Sequence, residues 1–347
     1  MNESTAHNDA RNKAIAAIKK NATTPDIQIL VDSVLKSDRT ALARCITLVE
    51  STNEEHKKLA DQIISRILPF SGNAIRIGIT GVPGVGKSSL IESFGTYLTS
   101  LGKKVAVLAI DPSSPLSKGS ILGDKTRMEL LSTDPNAFIR PSASANSLGG
   151  VARKTRESML LCEAAGFDVI IVETVGVGQS ETAVHRMTDF FLLLMLAGAG
   201  DQLQGIKRGI MELCDALFLT KADGNNVQNV QRAQAEYMSA LHFYPPKNSG
   251  WIPKVGRCSS LENTGMDAIW NVITEHHDWL NNRGFLHQNR LNQDLEWMHE
   301  TLQNRILDNF YTHPEYTKIL ASLEEKIRNK EVTPFAAAEQ LFGLIKD

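Results

Sequence analysis

The chain has 347 residues, of which 42% are hydrophobic and 22% charged, and its formal net charge is -2. That length suits one core domain with extensions, and the composition is that of an ordinary globular protein. The near-neutral charge excludes a bulk electrostatic drive toward nucleic acid or anionic membrane, so any phosphate binding must be built locally.

From Met1 to about residue 70 the pattern is helical, with Ile15, Ile18, Leu30, Val31, Val34 and Leu35, and then Leu42, Ile46, Leu59, Ile63, Ile64 and Ile67, at helical spacing. Pro69-Phe70-Ser71-Gly72 ends this N-terminal extension, 1–70. Glu3 and Asp9 oppose a transit peptide, and the apolar run between Asp189 and Asp201 is too short to cross a bilayer. Cys45, Cys162, Cys214 and Cys258 stand singly, as buried thiols in a reducing compartment do. The expectation is a soluble, cytoplasmic protein.

Residues 71–276 change character. Short apolar runs at Ile75–Thr80, Lys104–Ile110, Val169–Glu173, Phe190–Leu196, Ala216–Thr220 and Ile252–Cys258 alternate with helical stretches. Nearly continuous apolar strands point to an α/β fold, a mostly parallel central sheet flanked by helices. From 277 to 347 helical periodicity returns, and the stripe Leu291, Leu295, Met298, Leu302 needs a partner surface. His276-His277 reads as an exposed helix end.

The chemistry concentrates after the first strand. Gly81-Val82-Pro83-Gly84-Val85-Gly86-Lys87-Ser88 fits G-x-x-x-x-G-K-[ST], between a strand and the helical run opened by Ser89. Glycines turn backbone N–H groups toward phosphate oxygens, and the helix N-terminus adds partial positive charge. Lys87 reaches the outer phosphates and Ser88 is placed to ligate Mg²⁺. Asp111 and Glu173 each end an apolar strand beside this cradle and suit the same cation, while Gly176 can offer its N–H to a γ-phosphate.

Thr220-Lys221-Ala222-Asp223 matches the [NT]-K-x-D guanine motif. A carboxylate only accepts hydrogen bonds, so Asp223 suits the guanine N1–H and amine and opposes the bare N1 of adenine. Lys221 can lay its stem over the base, and Ser259-Ser260 follow the next strand where a loop meets its other side. Bound GTP or GDP is therefore expected. Val177 stands where a water-orienting Gln is common, so intrinsic hydrolysis is expected to be slow. Asp111–Arg127 and the glycine-rich Gly198–Gly209 read as mobile, switch-like segments.

These stretches, with Val172–Glu181 and Gly198–Gly209, resemble the MeaB/ArgK/MMAA family, SIMIBI-class P-loop GTPases that act as chaperones of methylmalonyl-CoA mutase. The resemblance implies that Asp111, Asp124 and Glu173 surround Mg²⁺ with Ser88, that Arg127 lies in a switch, and that Lys207 relays contact with the mutase to the GTP site. It also implies a homodimer held by the C-terminal arm, 277–347, and GTP-gated delivery of adenosylcobalamin to the mutase with protection or reactivation of that enzyme. A cobalamin adenosyltransferase is a further candidate partner; nucleic acid and membrane are not. A GTPase serving another acyl-CoA mutase or inserting nickel, an ATP-dependent small-molecule kinase and a non-catalytic scaffold are the competing readings. The sparse histidines and Asp223 oppose nickel insertion and ATP, respectively.

Overall fold

A computed structural model of the chain describes residues 26–110, 128–141, 148–174, 180–198 and 208–343. Among the described residues three helices come first, α1 (Ile27–Leu35), α2 (Arg39–Glu50) and α3 (Glu54–Ile67), each opened by a short polar side chain. Asp26 accepts the Gln28 N–H, Asp38 those of Thr40 and Ala41, and Asn53 those of Glu55 and His56. Such caps satisfy donors that the first helical turn leaves over.

The strands β1 (Ile75–Gly81), β2 (Val105–Ile110), β3 (Ala137–Arg140), β4 (Val169–Thr174), β5 (Phe190–Met195), β6 (Ala216–Leu219) and β7 (Lys254–Arg257) form one sheet in the order β3-β2-β4-β1-β5-β6-β7. Every neighbouring pair is parallel. Around them lie α4 (Lys87–Ser100), α5 (Glu129–Thr133), α6 (Leu148–Ala164), α7 (Ser180–His185), α8 (Arg208–Leu213), α9 (Val227–Leu241) and α10 (Met266–Asn282). β2, β4, β5 and β6 are buried along their whole length, because helices cover both faces of a parallel sheet. The parallel α/β fold is thus the one expected.

One strand was not expected. β3 has four residues, pairs with β2 alone and ends in Arg140, which forms an ion pair with Glu50 of α2. An edge strand this short carries too few apolar positions to show a period. At the opposite edge β7 begins at Lys254 and not at Ile252, which is 67% exposed and followed by Pro253, a residue with no N–H to donate. The first helices are held against α6: Ser37 Oγ donates to the Ala165 carbonyl at 2.7 Å, and Arg153 lies 3.4 Å from Asp61 of α3.

The histidine pair is also corrected. α10 continues to Asn282, and its apolar face includes His276, which is 3% exposed. The ring sits edge-on between Phe190 at 5.2 Å and Trp251 at 4.9 Å, and its Nε2 is 3.4 Å from Asp215 Oδ1. His277 alone is partly exposed, with its Nδ1 3.6 Å from Asp278.

The chain divides into two compact units, Met1–Asn289 and Arg290–Asp347. The second contains most of α11 (Phe285–Thr312), with α12 (Pro314–Arg328) and α13 (Pro334–Gly343). Its small core joins Leu323, Ala337 and Leu341 with Phe310, Ile319 and Ile327. No residue of α11 is buried, and Leu291, Leu295, Met298, Leu302, Ile306 and Leu307 are each 44–57% exposed. No helix among the described residues is long and apolar enough to cross a membrane.

Candidate functional site

β1 lies between β4 and β5, where successive strands change from one side of the sheet to the other, and such a reversal opens a crevice at the carboxyl ends of the strands. Residues 82–86 carry the chain from β1 across this crevice into α4. Gly86 precedes the helix at φ 96°, in the left-handed region where a side chain is strained. No side chain caps α4, so its first N–H groups are left to an anion. Pro83, Gly84 and Ser89 are exposed at the mouth, while Val82 and Val85 are buried beneath it.

Lys87 Nζ lies over this loop, donating to the Gly81 carbonyl at 2.8 Å and approaching that of Val82 at 3.5 Å. Burial pulls its pKa below the usual lysine value, against the opposing fields of Glu173 and Glu181. Ser88 Oγ donates to Glu173 Oε1 at 3.1 Å, so hydroxyl and carboxylate converge from α4 and the end of β4. These are hard oxygen donors of the kind Mg²⁺ takes, and the pair fits that ion. Among the described residues no three His, Cys, Asp or Glu side chains form a metal cluster. Asp111, Asp124, Arg127, Gly176 and Lys207 lie outside the described residues.

The base loop is anchored to the phosphate loop. Thr220 Oγ1 donates to the Val85 carbonyl at 2.7 Å, and Thr220 is 3% exposed. Lys221 takes φ 57°, with its carbonyl held by Asn226 Nδ2 at 2.8 Å, and its side chain is exposed. Ala222 N–H donates to the Cys258 carbonyl at 3.1 Å, joining this loop to the one after β7. There Ser259 is completely buried and its hydroxyl donates to Asp223 Oδ2, fixing the carboxylate. Ser260 enters through its backbone, its carbonyl accepting from Ser93 Oγ of α4 at 3.2 Å.

The described candidates therefore form two joined clusters. Gly81–Ser89 and Glu173 form one; Thr220, Lys221, Asp223, Ser259 and Ser260 form the other. The phosphate loop and the base loop, 135 residues apart at Val85 and Thr220, are bridged by the Thr220–Val85 hydrogen bond. Ser93, which ties α4 to the base loop, was not singled out, because nothing in its spacing marks it. All four cysteines are buried, and burial pushes Cys45 up to about 11 and Cys258 up to about 12, so neither supplies a thiolate.

The chain is similar to known proteins over most of its length. Residues 42–315 match the family described as Methylmalonyl Co-A mutase-associated GTPase MeaB. The Escherichia coli protein named GTPase ArgK is 45% identical over 311 residues, which cover 90% of this chain and 94% of that one. The Mus musculus protein named Methylmalonic aciduria type A homolog, mitochondrial, is 42% identical, covering 91% and 79% of the two chains. Among solved structures, one described as LAO/AO transport system kinase superposes with a TM-score of 0.73 at 38% identity and covers 92% of this chain and 98% of its own. The match spans the phosphate loop, the Ser88–Glu173 pair and the base loop alike, and the chain belongs to the methylmalonyl Co-A mutase-associated GTPase family MeaB.

Proposed function

We propose that this chain hydrolyses GTP to GDP in a cycle that gates adenosylcobalamin delivery to methylmalonyl-CoA mutase and protects or reactivates that enzyme. The observation that carries this reading is a phosphate loop and a guanine-type base loop tied by the Thr220–Val85 hydrogen bond, in a chain whose family description names the mutase. Asp223, fixed by Ser259, accepts the guanine N1–H and amine; Lys221 covers the base plane; Ser260 lines its far side. Water attacks the γ-phosphorus, the bond to the bridging oxygen breaks, and charge gathers on that oxygen and the γ-oxygens. Lys87 leaves the Gly81 carbonyl for these oxygens, where a buried ammonium is worth most. Bound Mg²⁺ supplies charge neutralisation at the β- and γ-phosphates, and Ser88 and Glu173, with Asp111 and Asp124, would hold it. Gly176 would sense the γ-phosphate, and Lys207 would pass mutase contact to the nucleotide.

The bare apolar stripe of α11 supports a homodimer built on the C-terminal arm, because a stripe this continuous is seldom left in water. The cytoplasm is the proposed location.

Two measurements test the reading. In competition titrations GTP and GDP should outcompete ATP and ADP by about a thousandfold or more, and Asp223→Asn should move the preference toward xanthine nucleotides. Equal affinity for ATP removes the base-reader assignment. Slow basal hydrolysis should rise when purified methylmalonyl-CoA mutase is added, and Lys207→Ala should lose that rise while keeping the basal rate. A basal rate indifferent to the mutase refutes the gating role.

A further inference from the structure

The segment that leaves β4 for β5 must cross β1, because β1 lies between those two strands in the sheet. The described part of that crossover is α7, and it sits close: a Cβ built on Gly78 of β1 would lie 2.7 Å from Val184 Cγ1, 2.9 Å from Phe191 and 2.9 Å from Thr188 Oγ1. A glycine at this position lets the helix rest directly on the strand. A crossover helix runs antiparallel to its strands, from their carboxyl ends back to the start of the next one. Glu181 precedes Val184 by one helical turn, about 4.5 Å of rise, or rather more than one residue of strand. With Val184 over Gly78, Glu181 comes to the level of Ile79 and Thr80, just before β1 passes into the phosphate loop and Lys87 Nζ meets the Gly81 carbonyl. Glu181 is 1% exposed, so its carboxylate faces protein there and not bulk water.

We propose that Glu181 is a positioning residue of the phosphate cradle: with Glu173 it holds Lys87 in place when phosphate is absent, and its negative charge makes nucleotide binding depend on a divalent cation. The proposal rests on the reading of Lys87 as the phosphate-binding lysine. Among the described residues the carboxylates of Glu173 and Glu181 both act on the Lys87 ammonium, and a diphosphate or triphosphate brought to that ammonium meets their repulsion until a cation offsets it. Glu173 takes part in this through Ser88 and the cation itself; Glu181, set back on α7, acts through Lys87.

The test is calorimetric titration of the full chain with GDP, once in Mg²⁺ and once in a chelator. Glu181→Gln keeps the shape and removes the charge. Its affinity for GDP in chelator should rise about tenfold over wild type, with a change below about threefold in Mg²⁺, so the magnesium dependence shrinks. Glu181→Asp keeps the charge and should retain the wild-type dependence. A Gln variant with wild-type melting temperature and unchanged or weaker binding in chelator overturns the proposal. If the Gln variant does not fold, the Asp variant decides: tenfold tighter binding in chelator with the charge still present overturns it. Wild-type chain that binds no guanine nucleotide in Mg²⁺ overturns the guanine reading and this inference together, whereas wild-type binding with an indifferent Gln variant overturns this inference alone.

Discussion

The two ends of the sheet use acidic side chains in opposite ways. At the amino end an aspartate stands just before each of three strands and closes onto the neighbouring one. Asp168, before β4, accepts the Lys104 N–H at 2.7 Å; Asp189, before β5, accepts that of Arg76 at 2.9 Å; Asp215, before β6, accepts that of Phe191 at 2.8 Å. At the carboxyl end a serine hydroxyl reaches each acid, Ser88 to Glu173 and Ser259 to Asp223. A hydroxyl bond is one a ligand can replace at little cost, whereas a backbone N–H at the start of a buried strand has nowhere else to turn. The same residue type is therefore structural before a strand and available to a ligand after it.

Lys87→Ala gives the largest expected effect at the carboxyl end. It removes a charge from the place where transition-state charge gathers, and hydrolysis should fall by about a thousandfold. Stability should hold or rise slightly, because a lysine whose charged form is disfavoured by burial is removed. A variant that keeps its hydrolysis rate but melts many degrees lower would place Lys87 among the structural residues and break the comparison.

At the amino end the corresponding change is Asp215→Asn. Burial pushes this carboxyl up, but the Lys247 ammonium and the His276 ring outweigh it and hold its pKa well below the usual carboxylate range. The Asp215 carbonyl also accepts from Trp251 Nε1 at 2.9 Å, so one residue ties β5, β6, α10 and the segment before β7 together. Removing the charge should cost about 3 kcal/mol while leaving GDP affinity unchanged. Because the folded pKa lies below the unfolded one, this stabilisation is complete above the unfolded value of about 4 and is lost as pH falls through the folded value. The gap between wild type and Asp215→Asn in denaturant unfolding should therefore narrow below about pH 4. A gap constant from pH 7 to pH 2 would mean that the charge contributes nothing.

Much of this was legible in the sequence, for reasons that differ by element. β2, β4, β5 and β6 announce themselves because a strand covered on both faces is apolar throughout. The phosphate loop is legible because its turn demands glycine before an uncapped helix. His276 was misread although a signal was present: Ile269, Ile273, His276 and Leu280 recur at helical spacing, and all four are buried. The strand-starting aspartates could not be read, since each bonds to a neighbour that only the sheet order reveals. Glu181 was hidden likewise, because its nearness to Lys87 follows from α7 crossing β1.

Thr220 is the smallest and sharpest test, because it stands at the carboxyl end yet is bonded like the residues of the amino end. A threonine hydroxyl has one proton, and here it is donated to the Val85 carbonyl at 2.7 Å in a nearly dry setting. That leaves no proton for guanine, so its contribution to nucleotide binding should be the alignment of the base loop with the phosphate loop. Thr220→Val loses the donor and strands a carbonyl, which costs about 1–2 kcal/mol. GDP and ADP should both bind about threefold to tenfold more weakly, with their ratio unchanged, since Asp223 and Ser259 still read the base. Thr220→Ser keeps the proton and should stay within about twofold of wild type. If Thr220→Val instead loses guanine preference while phosphate-dependent affinity survives, the hydroxyl touches the base directly, and the Val85 hydrogen bond is exchanged for it on binding.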